Sequence, residues 1–190
     1  MLVESHRAIG ISADRASQLK GNAVFDNVIT IMMQENDLLL EILNELELLN
    51  RTIKTLAHIN LVDFSALERI AESLLEAEPH HQREEKVLFP LLEKQGFIGL
   101  PLMMRREHQQ LKECEEELKE FAVTGKEMYF SEFQQQLDAI VDFIIKNLRQ
   151  HIEKENNILY PQALAMIHPE MWELVQQEWD YIGYISLTKF

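Results

Sequence analysis

Two stretches of this chain repeat one arrangement of side chains. HHQREEKVLFP begins at His80, and HIEKENNILYP begins at His151, 71 residues later. Each offers an imidazole, a carboxylate four residues on, and a leucine-aromatic-proline ending. Imidazole nitrogen and carboxylate oxygen together are the donors that bind divalent transition metals. On a helix, residues four apart lie on the same face, one turn apart. His80 with Glu84, and His151 with Glu155, therefore each present a nitrogen and an oxygen in one direction.

The elements that must hold these pairs are legible in the apolar spacing. Val28, Met32, Leu39, Ile42, Leu46 and Leu49 mark a first helix over about 24–50. A polar connection follows, with Asp63 or Ser65 as the N-cap of a second helix. Its stripe runs Leu67, Ile70, Leu74, Ala77, His80, Glu84, Val87 and Leu91, and Pro79 is expected to kink it. The turn KQGFIGLP leads to a third helix over about 102–122, with Met104, His108, Leu111 and Leu118 in line. A fourth, over about 128–164, carries Phe133, Leu137, Ile140, Ile144, Leu148, His151, Glu155 and Ile158. The charged pairs and His108 thus point where the apolar side chains point.

These elements describe an all-α fold, an up-down-up-down four-helix bundle with a short additional C-terminal helix. Residues 1–22 read as an N-terminal extension, 23–165 as the bundle, and 166–190 as the C-terminal helix and tail. Trp172, Trp179, Tyr181 and Tyr184 are expected to pack across the bundle end; docking of a partner is the alternative.

The repeat extends to the other two helices. Met32 and Glu35-Asn36 in the first are answered by Met104 and Glu107-His108 in the third. Buried carboxylates need compensation, and metal ions supply it better than shared protons. Two carboxylates able to bridge, with several histidines, exceed what one tetrahedral zinc requires. The donor set suits a two-metal site, with iron as the metal. A single His-x-x-x-Glu reads as a surface ion pair; two copies in matching register reverse that reading. His81 and Glu85 have the same spacing. Setting Pro90 against Pro161 pairs His80 with His151, which leaves His81 and Glu85 as flanking groups that orient a ligand, with His81 also open as a metal donor. His6, His58 and His168 read as ordinary core histidines.

Composition narrows the function class. Hydrophobic residues at 46% and charged residues at 26% fit a soluble globular domain with a sizeable core. A net charge of -14 repels phosphate backbones and argues against nucleic acid. No apolar run is long enough to span a bilayer, and MLVESHRAIG lacks the apolar stretch of a signal peptide. Cys114 is the only cysteine, which rules out an internal disulfide and points to the cytoplasm.

These residues resemble the hemerythrin-like, or HHE cation-binding, family: a His in the first helix, His-x-x-x-Glu in the second, His in the third, and His-x-x-x-Glu in the fourth. The resemblance covers roughly residues 24–164. It implies a bundle with a non-haem di-iron centre bridged by two glutamates, with His80, Glu84, His108, His151 and Glu155 as ligands. One departure stands out, because Asn36, whose carbonyl oxygen is a weaker donor to iron than imidazole, occupies the place of the first-helix histidine. Glu35 beside it has two readings, as the missing donor or as a neighbouring acid. Either way one metal is left short of a ligand, with an open position for a small molecule or a single tightly held ion.

The stretch around HHQREEKVLFP, and ENNILYPQAL followed by Trp and Ile-Gly-Tyr, is similar to modules joined to PAS sensor domains. The chain ends soon after Tyr184, so no PAS domain is expected here. HIEKENNILYP is also similar to repair-of-iron-centre proteins, without the cysteine-bearing N-terminal segment usual in that group. The resemblance implies a protein that binds or senses oxygen, nitric oxide or redox state, with a signalling protein as partner. The alternatives are a di-iron enzyme or iron donor, or a bundle holding one iron, zinc or no metal.

Overall fold

The computed structural model describes residues 13–185, with side-chain surroundings from residue 28 onward, and every regular element among them is helical. The N-terminal half of the expected extension, including His6, and the last five residues of the tail lie outside this range. Helix α1 spans Ala13–Thr55 and so continues past the expected end at Asn50. Asn50 interrupts the apolar pattern, yet it is buried and donates to Asp138 Oδ1 at 2.9 Å, after which Ile53 is again in the core.

Helix α2, Phe64–Leu75, starts where Asp63 accepts a hydrogen bond from the Ala66 amide at 3.0 Å. Helix α3, Glu78–Arg83, begins after a two-residue interruption rather than at a kink. Pro79 falls in the first turn of α3, where its missing N–H leaves no bond unmade. The His80 amide closes the break by donating to the Ala77 carbonyl at 2.9 Å.

A wide turn over Glu84–Leu88 then leads into α4, Phe89–Lys94. The same event recurs in the other half. Helix α6, Phe130–Lys154, passes through a wide turn over Glu155–Leu159 into α7, Tyr160–Met166. In each turn an amide bonds the carbonyl five residues back, from Phe89 to Glu84 and from Tyr160 to Glu155. Proline follows at once in both, Pro90 and Pro161. One extra residue per turn rotates everything after it by one position. The expected core positions Val87, Leu91 and Ile158 are thereby displaced, and Leu88, Leu92 and Leu159 are buried instead. Ile158 is 44% exposed.

Helix α5, Gly99–Thr124, completes the four-helix arrangement. The order α1, α2–α4, α5, α6–α7 runs up-down-up-down; α2 packs on α1 and α5, and α6 on α5 and α1. Helix α8, Trp172–Ile182, crosses against α1 and α3. Trp172 and Trp179 are fully buried there, Tyr184 is partly covered, and Tyr181 is 91% exposed. No described helix is long and apolar enough to cross a membrane. His58 and His168 correct the sequence reading, because both are exposed on short connections outside the packed faces.

The core is divided. One apolar cluster includes Leu43, Leu46, Leu67, Leu118, Phe133 and Ile144. The other includes Met32, Leu88, Phe89, Met104, Leu159 and Trp179. Between them lie Glu35, Asn36, His80, His81, Glu84, His108, His151 and Glu155, none more than 6% exposed.

The connection from α5 to α6 depends on close approach. A Cβ at Gly125 would stand 2.6 Å from Phe133 Cε2, within a cluster where Phe133 stacks on Phe121. Gly125→Ala is expected to destabilise the fold by about 1–3 kcal/mol through overpacking, read from the midpoint of chemical denaturation. Gly99→Ala, with nothing within 4 Å of its Cβ, serves as the neutral comparison.

Candidate metal centre

Three histidines in the polar layer are oriented alike. Glu35 Oε2 accepts from His80 Nδ1 at 2.8 Å, Glu85 Oε1 from His108 Nδ1 at 2.7 Å, and Glu107 Oε2 from His151 Nδ1 at 2.8 Å. An ionised carboxylate only accepts, so each bond places the proton on Nδ1 and turns Nε2 inward. This carboxylate–histidine arrangement fixes tautomer and ring direction in metal sites.

The two central carboxylates each face both ways. Glu84 Oε2 lies 3.4 Å from His108 Nε2, while its Oε1 accepts from the Tyr160 hydroxyl at 3.0 Å. Glu155 Oε1 lies 2.7 Å from His151 Nε2, and its Oε2 lies 3.9 Å from His80 Nε2. His108 Nε2 and His151 Nε2 are 2.9 Å apart. Glu84, His108, His151 and Glu155 therefore bring one donor atom each within 4.8 Å of the others. His80 stands on the opposite side of both carboxylates, with the Tyr160 oxygen 3.3 Å from its Nε2.

His81 is drawn in rather than left at the flank. It is 6% exposed, its ring stacks on His108 with centroids 4.2 Å apart, and one of its ring nitrogens joins those of His108 and His151 in a second cluster. A polar cleft of about 130 Å³ between α3 and α5 opens beside His81 and His108, rimmed by Gln82, Glu85, Arg105 and Lys112. Glu35 faces away from the centre. Its Oε2 accepts from His80 and Arg83, and its Oε1 accepts from the Ile185 amide at 3.0 Å. Asn36 is fully buried and donates through Nδ2 to Asn156 at 3.0 Å.

The fit to a cation can be tested on unmet bonding capacity. Asn36 Oδ1, His81 Nε2, Glu84 Oε2 and both Glu155 oxygens are buried without a hydrogen bond. The close approaches of Glu84 Oε2 to His108 and of Glu155 Oε1 to His151 bring charges together without the alignment of a hydrogen bond. Buried polar atoms are normally satisfied, and these five converge on one region. Nitrogen and oxygen donors with free lone pairs, in a layer between two apolar clusters, fit transition-metal ions.

The charges respond to that crowding. Burial opposes a charge on His151, but Glu155 and Glu107 outweigh it and push its pKa up to about 10. His80 is likewise raised to about 9, burial being overcome by Glu155 and Glu35. Burial acts to raise the Glu155 carboxyl, and His151 and His80 hold it well below the usual range. His81 moves the other way, driven well below an ordinary histidine by burial and by the neighbouring His108. A neutral His81 keeps one ring-nitrogen lone pair available.

The match to known proteins follows this geometry. The model of the hemerythrin HHE cation binding domain matches residues 27–163. The chain belongs to this family. Among curated relatives, the iron-sulfur cluster repair protein YtfE of Escherichia coli O81 (strain ED1a) is 34% identical, over 47% of this chain and 43% of the relative. The YtfE proteins of Escherichia coli O1:K1 and Escherichia fergusonii are each 33% identical over the same shares. The match thus takes in less than half the length of these curated relatives.

Within this hemerythrin-family bundle, the structure brings together His80, Glu84, His108, His151 and Glu155, places His81 and Asn36 beside them, and turns Glu35 outward onto His80. Sequence reading missed Tyr160, read only as part of the Leu-aromatic-Pro ending, and Arg83, hidden among exposed polar residues of its helix. It also missed Glu115, which is 4% exposed on α5. One signal was present for Glu115, since it continues the His108, Leu111, Leu118 face.

Burial and then the nearby Glu78 raise the Glu115 carboxyl to about 8. Above pH 4.5 the unfolded chain loses this proton while the folded chain keeps it, so stability falls as pH rises until about 8 and is then level. Glu115→Gln removes that dependence. In chelator-treated protein the variant is expected to exceed the wild type by roughly 5 kcal/mol at pH 9 and by less than about 1 kcal/mol at pH 5, in denaturant unfolding.

Proposed function

We propose that this protein holds two non-haem iron ions in the bundle core, bridged by Glu84 and Glu155, and uses them to bind or sense a small diatomic ligand. The observation that carries this reading is the division of the two carboxylates, each with one oxygen toward His108 or His151 and the other toward His80 or Tyr160. His108, His151 and His81 would serve one position; His80, with Asn36 beside it, would serve the other. Bound iron would supply a redox-active centre with a coordination position for oxygen or nitric oxide.

The chain's own groups suit that role. Glu35, Glu85 and Glu107 keep the three Nε2 atoms directed at the centre. The apolar clusters on both sides exclude bulk water, and the narrow cleft beside His81 limits entry to small molecules. Metal uptake displaces protons from His80 and His151, so affinity should rise with pH.

A second reading is favoured by the role for which the YtfE relatives are named, iron-sulfur cluster repair. As an iron donor for damaged iron centres, the protein would release metal through the same cleft. Reversible oxygen or nitric oxide binding without iron loss supports the first reading. Iron transfer to an apo iron-sulfur protein, faster than free ferrous iron provides, supports the second.

Metal content on protein purified without oxygen decides the shared premise. About two irons per chain are expected, with near-ultraviolet oxo-bridge absorption growing in air. His151→Ala and Glu155→Ala should each lose most of the iron, and His58→Ala none. Full retention in both of the first two would overturn the centre. Glu35→Gln should keep the stoichiometry but weaken affinity by about 10–100-fold, because it releases the His80 ring without removing a donor.

A further inference from the structure

Two of the positions at which the halves of the chain differ lie at the centre. Asn36 stands where the repeat has His108, and Tyr160 stands where it has Phe89. Phe89 lies against His108, nearly parallel, with ring centroids 5.9 Å apart and 17° between the planes. In the other half the ring carries a hydroxyl, and the imidazole it would lie against is an amide. The side of the centre that lacks a nitrogen donor is the side that has gained an oxygen.

Tyr160 is 1% exposed, and its oxygen lies 3.0 Å from Glu84 Oε1 and 3.3 Å from His80 Nε2. Neighbouring donors on one octahedral ion, with bonds of about 2.1 Å, stand about 3 Å apart. These separations therefore match three donors sharing an ion, as well as a simple phenol–carboxylate hydrogen bond. Around the other position, His81, His108 and His151 supply three nitrogens.

We propose that Tyr160 is a metal donor, so that the centre has one nitrogen-rich position at His81, His108 and His151 and one oxygen-rich position at His80, Asn36 and Tyr160. This rests on the di-iron reading above. With ferric iron bound there, Tyr160 would coordinate as a phenolate: its O–H bond would break as an oxygen–iron bond formed, its proton would pass to solvent, and no electron would move.

The test is the visible spectrum and resonance Raman of the full chain, loaded with ferrous iron without oxygen and then oxidised. Wild-type protein is expected to show a phenolate-to-iron charge-transfer band and enhanced tyrosinate vibrations. Tyr160→Phe, which installs the side chain already present at Phe89, should lose both while keeping its iron. The wild-type signal is informative even if that variant misfolds, because Tyr129 and Tyr181 are 84% and 91% exposed and Tyr184 lies beyond Arg83. Iron-loaded wild type without the band, or a band that survives in Tyr160→Phe, overturns the tyrosine assignment and leaves the di-iron reading standing. Wild type that binds no iron defeats both.

Discussion

The structure is organised around two carboxylates, Glu84 and Glu155, that are buried at the middle of an otherwise apolar bundle. Removing an ionised carboxylate from water costs several kcal/mol unless opposite charge meets it. Here it is met by imidazoles on neighbouring helices, each fixed in turn by another acid. Glu35, Glu85 and Glu107 are thus part of the same balance as the central pair. That explains why so acidic a chain crowds its histidines into one layer and leaves only His58 and His168, among the described residues, on the surface.

The wide turns belong to this constraint. Glu84 and Glu155 each begin one, and Pro90 and Pro161 follow each one. Proline cannot donate, so an ordinary helical turn there would leave a carbonyl without its partner. Widening the turn accommodates the proline and shifts the following stripe by one residue. Leu88 and Leu159 then seal the apolar cluster above the site, where Val87 and Ile158 would have stood in a regular helix. The phrase repeated in the sequence therefore encodes both a donor pair and the backbone irregularity that closes the core over it.

How much of this was legible follows from periodicity. The helices, their order and the inward direction of His80, Glu84, His108, His151 and Glu155 come from spacing at 3.6 residues. Spacing also assumes an unbroken helix, so it misplaced Val87, Leu91 and Ile158 beyond the wide turns, and it made Pro79 a kink instead of a restart. His81 stayed open between donor and flanking group for another reason. Two adjacent residues cannot both lie at the centre of one helical face, yet α3 is short and stands at a corner where its two histidines reach different neighbours, His80 toward Glu35 and His81 toward His108. Tyr160 and Arg83 depend on tertiary neighbours far along the chain, which a helical stripe does not register.

Arg83 shows what those neighbours do. Its guanidinium is fully buried, bonds Glu35 and the Gly183 carbonyl, and lies over the rings of Trp179 and Tyr184. A buried cation so placed offsets the Glu35 charge and lets that carboxylate hold His80 without desolvating an unpaired acid. Glu35 also takes the Ile185 amide, so the end of α8 and the residues after it share the carboxylate that orients His80. Displacing that segment would remove the bonds to the Gly183 carbonyl and the Ile185 amide and leave the Glu35–Arg83 pair, and with it the His80 ring, less constrained. The C-terminal helix is accordingly part of the support of the centre, joined to it through one acid and one arginine, and the aromatic residues that cover the bundle end hold that connection in place.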